Sequence, residues 1–139
     1  MKRNVFGALM TLIVAFSIAV PVVQAQQTIM SANVPFAFNI GDKQLPAGAY
    51  AVREMDRATL IQSKDGATSV LGIYAYAGPS SDETKLVFNK VGDHYFLAQI
   101  WTSARGQGLS VPESKLEKEL RASNSGPQGG VETVIVALR

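Results

Sequence analysis

The chain contains no cysteine. An exported domain built this way has no disulfides to hold it and depends on packing and hydrogen bonds alone. The same absence removes thiolate nucleophiles, thiolate zinc sites and the acylated cysteine that anchors a bacterial lipoprotein. Histidine is almost as scarce, with His94 the only one. A zinc site would need carboxylates for its remaining ligands, an uncommon donor set. Basic clusters are missing too: Arg53, Arg57, Lys64, Lys85, Lys90 and Arg105 are scattered. There is no Gly-x-Ser-x-Gly elbow and no Asp-x-Asp-x-Asp loop. After Ala25 no apolar run is long enough to span a membrane.

What the chain does have, at its start, is the three-part layout of a secretory signal peptide. Met1, Lys2 and Arg3 are followed by an almost unbroken apolar run from Val5 to Val20. Pro21 breaks that run, and Val23-Gln24-Ala25 places small or β-branched residues three and one before a cut. The run is near the length of a membrane span, so an uncleaved anchor is the competing expectation. Pro21 and the Val-x-Ala site favour cleavage after Ala25. The expected organisation is a signal peptide over 1–25 and a single β domain over 26–139, periplasmic or secreted, with no transmembrane helix after cleavage. Removing Lys2 and Arg3 from 13 basic residues leaves eleven, against 11 acidic ones. A domain so close to neutral has no electrostatic case for nucleic acid or anionic lipid.

The mature region alternates apolar and polar residues with the period of half-buried strands. Val34, Phe36, Phe38 and Ile40 fall on one face, Ala37 and Asn39 on the other. Further strands are expected at Tyr50–Arg53, Thr59–Ser63, Thr68–Tyr76, Lys85–Val91 and His94–Thr102. A last one, Val131–Leu138, is apolar on both faces, which predicts burial on both sides or a strand that closes the sheet. Gly41-Asp42, Asp65-Gly66 and Gly92-Asp93 punctuate these runs as tight hairpin turns do. Pro35 cannot donate to a ladder, so the first strand should lie at an edge or begin there. The expected fold class is mostly β: an antiparallel meander of about seven strands forming a small barrel or sandwich.

One segment departs from this pattern. Ser110-Val111-Pro112-Glu113 carries the marks of a helix start, with Ser110 as cap and Glu113 reaching back. The helix is expected over about 111–122, packing Leu116 and Leu120 on the sheet and pairing Glu117 with Arg121 on the solvent side. The stretch from Ser123 to Gly130 is expected as a loop.

Chemistry-bearing residues are few and unmarked. His94 follows a Gly-Asp turn, where a surface or hairpin-supporting role is favoured over a general base. Asp42, Asp65 and Asp93 belong to turns, and Glu113, Glu117 and Glu119 to the polar side of the helix. Among the remaining acids are Glu54, Asp56 and Glu132, of which Glu54 and Glu132 fall in or beside strands, and no spacing marks a catalytic pair. Arg105-Gly106-Gln107-Gly108 lacks the Lys-Ser/Thr ending of a phosphate loop. No cofactor or metal is implied. The aromatics form the most suggestive set. Tyr95, Leu97, Gln99 and Trp101 fall on one face of a strand, Phe96, Ala98 and Ile100 on the other, and Tyr74 and Tyr76 share a face. Core plus helix cover explains this, or else Trp101, Tyr95, Tyr74 and Tyr76 bind an apolar ligand.

The segments Val34-Pro35-Phe36-Ala37-Phe38, Leu45-Pro46-Ala47-Gly48-Ala49-Tyr50 and Leu86-Val87-Phe88 through Gly92-Asp93-His94-Tyr95-Phe96-Leu97 occur together here. With Trp101-Thr102 and Val111-Pro112-Glu113-Ser114-Lys115, the combination resembles a group of short exported bacterial proteins of unknown function. The resemblance implies export and a bacterial source, and carries no activity or site residues. The expected function is that of a non-enzymatic envelope protein acting by binding or assembly on an envelope partner. The alternatives are a small β-barrel carrier of an apolar small molecule, and a hydrolase using carboxylates with His94. An outer-membrane barrel would need more and longer strands.

Overall fold

A computed structural model describes residues 29–55, 58–66, 82–102, 108–124, 126 and 130–139, and the backbone of 68–72. The expected signal peptide lies outside the described residues. So do Tyr74, Tyr76, Asp56 and the Arg105–Gln107 part of the glycine-rich loop.

The described residues hold ten strands and one helix: β1 (Ile29–Val34), β2 (Phe38–Ile40), β3 (Lys43–Leu45), β4 (Gly48–Met55), β5 (Ala58–Ser63), β6 (Thr68–Gly72), β7 (Lys85–Val91), β8 (His94–Trp101), β9 (Gly108–Ser110), α1 (Lys115–Ser123) and β10 (Glu132–Ala137). They form two sheets of a sandwich, not a closed barrel. One sheet runs β1-β4-β5-β6; the other runs β10-β7-β8-β2-β3, with β9 beside β8. The mostly β class with a single short helix therefore holds. Short strands raise the count above the expected number, and β2 departs from the antiparallel meander by lying parallel to β8 at Asn39 and Phe96.

Pro35 explains one of these differences. The alternation from Val34 to Ile40 reads as one strand, yet the chain leaves the first sheet after Val34 and enters the second at Phe38. A residue without an N–H fits that crossing, and β1 is an edge strand as its proline requires. The hairpins behave as their turn residues dictate. Gly41 and Gly92 take φ of 57° and 60°, while no other residue type has positive φ among the described residues. Glycine first and aspartate second is the type II′ arrangement that matches strand twist.

The core lies between the sheets. Met30, Ala32, Val34, Tyr50, Val52 and Ile61 face Phe38, Leu86, Phe88, Leu97, Ile100 and Leu138 across it. At its centre Phe38 packs edge-on against both Tyr50 and Phe88, with ring centroids 5.2 Å apart in each case. Phe36 stacks on Tyr95 at 3.9 Å toward one end. The Tyr50 hydroxyl donates to the Pro46 carbonyl, tying the turn before β4 to the core. Burial, with Asp65 nearby, pushes that hydroxyl above the usual tyrosine range.

The helix starts one turn later than expected. Its cap is Ser114, whose Oγ accepts from the Glu117 amide at 3.1 Å, and Ser110 instead belongs to β9. Ser114-Lys115-Leu116-Glu117 repeats the spacing of Ser110 to Glu113, and pairing of Ser110 with Gln99 on β8 leaves the second serine as cap. The buried face is also rotated: Leu120 is half-buried as expected, but Leu116 is not its partner there. Leu116 is 41% exposed, whereas Glu117 is only 3% exposed and accepts from Asn89 Nδ2 of β7 at 3.0 Å. Its expected pairing with Arg121 is present at 3.1 Å, but beneath the helix and not on the solvent side. Ser114→Ala should cost about 1 kcal/mol, the usual worth of a cap. Urea unfolding of Ser114→Ala beside Ser110→Ala separates the two starts, since only the first removes a cap.

Candidate functional site

Strand β8 carries the residues proposed from sequence for an apolar ligand, and a β-bulge sets them apart. Val87 pairs with Gln99 but Phe88 pairs with Leu97, so Ala98 is an extra residue in the ladder. An extra residue inverts the alternation beyond it. Tyr95 and Leu97 face the core, where Tyr95 stacks on Phe36. Beyond the bulge Ile100 takes the core face and Trp101 turns to the outer one. There Trp101 Nε1 donates to Gln99 Oε1 at 2.9 Å and the Lys85 ammonium sits 5.7 Å from the ring. Tyr95 and Trp101 thus share no face, contrary to the sequence alternation. Tyr74 and Tyr76, the other two, lie outside the described residues.

Trp101 has a structural partner instead. Gly108 of β9 lies opposite it, and a Cβ at Gly108 would stand 2.5 Å from Trp101 Cε2. Gly108→Ala should therefore destabilise the fold by about 1–3 kcal/mol through overpacking. A parallel red shift of Trp101 fluorescence would show that the indole is displaced.

The titratable residues are equally dispersed. His94 is exposed at the start of β8. Glu54 faces inward near the opposite end, where it accepts from Thr102 Oγ1 at 2.5 Å and links the two sheets. Thr59, buried beside it on β5, has no hydrogen-bond partner for Oγ1 among the described residues. Glu132 binds the Lys90 ammonium at 3.2 Å, and that hydrogen bond holds Lys90 above the usual lysine range. Among the described residues no three His, Cys, Asp or Glu side chains gather to hold a metal ion. No described helix is long and apolar enough to cross a membrane.

The feature that sequence reasoning missed is the outer edge of β10. Val131-Glu132-Thr133-Val134-Ile135-Val136-Ala137-Leu138 is rich in β-branched residues and forms a strand readily. Its apolar residues on both faces predicted burial on both sides. The structure corrects this: β10 is the last strand of its sheet, Val134, Val136 and Leu138 turn to the core, and Ile135 is 59% exposed. The alternative expectation, closure, is met only at one point. Ser31 of β1 and Arg139 exchange main-chain hydrogen bonds at 2.7 and 2.9 Å. Beyond that pair β1 and β10 form no ladder but stay in contact, and a cleft of about 430 Å³ along their seam is lined by Ser31, Asn33, Val136, Ala137 and Arg139.

The direction of the free groups follows from the ladder. Leu138 donates to Thr84 on the β7 side, whereas Arg139 donates to β1. Antiparallel strands alternate in this way, so the N–H and C=O of Thr133, Ile135 and Ala137 point outward, away from β7. Two other edges are short or stop at a proline. Strand β3 has three residues, with Lys43 exposed and Pro46 just past its end, and β1 stops at Pro35. Strand β10 has no proline, and its one charge, Glu132, stands at its first residue.

A second cleft, of about 410 Å³, lies on the outer face of the first sheet above Ser31, Ala49, Ala51 and Gln62. Neither cleft is lined by Tyr95 or Trp101. No family model, curated protein or solved structure matches the chain.

Proposed function

We propose that the mature chain is an exported, non-enzymatic envelope protein that acts by binding or assembly, taking its partner as a strand added along β10. The observation that carries this reading is the part of the edge away from β1: outward main-chain groups of Thr133 and Ile135 beside an exposed Ile135. Natural sheets blunt such edges unless another strand is to pair there. Export is supported by the N-terminal layout and by the resemblance to exported bacterial proteins. A carrier has less support, because Phe38, Tyr50 and Phe88 fill the space between the sheets and Tyr95 and Trp101 face opposite ways. A hydrolase has less still, with His94 and Glu54 at opposite ends of the sandwich.

The test is native mass spectrometry of protein purified gently from a bacterial periplasm, beside an Ile135→Pro variant. Proline at 135 removes an N–H that points away from β7, so the internal ladder survives. The expected wild-type chain starts at Gln26, carries no small molecule and occurs in a complex that Ile135→Pro dissolves. A reproducible small-molecule adduct, or a wild type found only as a lone chain, overturns the proposal.

A further inference from the structure

The open part of the β10 edge is short, and β1 stands at its end. Ser31 and Arg139 exchange both main-chain bonds, at 2.7 and 2.9 Å, and the Ser31 hydroxyl donates to the Arg139 carbonyl at 3.3 Å. Two residues that exchange both bonds form an antiparallel, hydrogen-bonded pair. The same register sets Asn33 against Ala137 and Pro35 against Ile135. Among the described residues no main-chain bond joins either of those pairs. Asn33 and Ala137 line the same cleft of about 430 Å³, and Pro35 has no N–H to give. Strand β1 therefore touches β10 without continuing its sheet.

Resting on the strand-addition reading above, we infer that β1 is a built-in inhibitor of that addition. The Ser31–Arg139 pair holds the Ala137 end of the edge shut, and it opens when a partner strand pairs along the whole of β10. Length is the reason. Strands usually run five or six residues, whereas the part of β10 clear of β1 offers the outward groups of Thr133 and Ile135 alone. A partner of ordinary length has to engage Ala137, and its next residues meet Ser31. Opening does not disturb either sheet. Strand β1 pairs with β4, and β10 with β7, along their full lengths. By alternation Ser31 and Asn33 turn their N–H and C=O away from β4, as Ala137 and Arg139 turn theirs away from β7. Leu138 stays tied to Thr84, by its own N–H at 3.0 Å and by the Thr84 hydroxyl at 2.9 Å. The bonds that Arg139 loses are remade to the partner, and the exposed Ser31 turns to water. The Ala137 groups gain the bonds that the cleft denies them. An edge guarded in this way also resists chance pairing with other chains.

Ser31→Pro separates the inhibitor from the fold. It removes the N–H and the hydroxyl that bond Arg139, and since neither serves β4 the β1–β4 ladder survives. In hydrogen exchange of the processed chain the Arg139 amide should exchange roughly tenfold faster than in the wild type, the effect of two lost hydrogen bonds. The Phe88 amide, in the β7–β10 ladder, should keep its rate. On dilution, the complex purified from a bacterial periplasm should persist to a roughly tenfold lower concentration with Ser31→Pro, because a seam that favours the shut state weakens apparent affinity by that factor. Should the proline variant not fold, the wild type decides: its Arg139 amide should exchange with little dependence on urea, and its Phe88 amide with the full slope of global unfolding. Equal slopes, or an Arg139 amide as slow as Phe88 in Ser31→Pro, mean a seam that does not open by itself and overturn the inference. Complexes that persist equally overturn the inhibition and leave strand addition standing. A lone chain in both wild type and variant overturns strand addition, and the inhibition with it.

Discussion

Phe88→Ala is expected to lower the unfolding free energy by about 3–5 kcal/mol, the cost of truncating a fully buried phenylalanine. Phe88 is inaccessible to solvent and receives two other rings edge-on. Phe36 meets it at 5.2 Å and 89°, and Phe38 at 5.2 Å and 74°. Removing the ring takes away apolar burial and both aromatic contacts together. The walls of the resulting cavity have little freedom to close. Phe88 sits at the bulge in the β7–β8 ladder and pairs with Val134 on its other side, so both neighbouring backbones are held by hydrogen bonds. Urea unfolding checks this directly. A loss under about 1 kcal/mol with an unchanged denaturant slope would mean that the interior is not packed around Phe88.

Glu117→Ala is expected to cost about 1.5–3 kcal/mol, the range for hydrogen bonds made to a charged group. The carboxylate accepts from Asn89 Nδ2 at 3.0 Å and from Arg121 at 3.1 Å. Arg121 keeps a second carboxylate, Glu113, at 2.8 Å, so the loss falls chiefly on Asn89 beneath the helix. The cap is preserved, since it uses the Glu117 backbone N–H. Glu117→Gln retains an acceptor for Asn89 and should cost less. Leu116→Ala, by contrast, should stay within about 0.5 kcal/mol because that side chain is exposed. If Leu116→Ala proved the more damaging, the helix would face the sheet as the sequence pattern alone implied.

That rotation of the helix shows how far local pattern carries. Leu116 and Leu120, four residues apart, define an apolar stripe. The surface under the helix is not uniformly apolar, however: it contains Asn89, which requires an acceptor if it is to be covered. No rule confined to the helix reveals what lies opposite. The cap position has the same character, because two serines each precede a glutamate by three residues. Which one caps depends on β9 pairing with β8.

Trp101 and Tyr95 give a sharper instance. Strict alternation places them together, and the single extra residue at Ala98 parts them. A bulge has no dependable mark in the residues of one strand, since it is defined by what the partner strand opposes. The edge character of β10 was hidden for a related reason. Valine and isoleucine on both faces suit a strand in the middle of a sheet and a strand that awaits a partner equally well.

Local reading of the residues settled the β class, the hairpin turns at Gly41-Asp42 and Gly92-Asp93, the edge position of the strand next to Pro35, the presence of one short helix and the Glu117–Arg121 pair. Each of these depends on forces acting within a few residues: steric limits on φ, a missing N–H, a capping side chain, a charge one helical turn away. The tertiary structure decided that two sheets stack instead of closing, that the chain crosses between them from Val34 to Phe38, that β2 joins β8 in parallel, that Glu117 turns inward and that β10 ends its sheet with Ile135 exposed. Those outcomes depend on which strands become neighbours. That choice is made by burial summed over residues far apart in the chain, and no local window contains it.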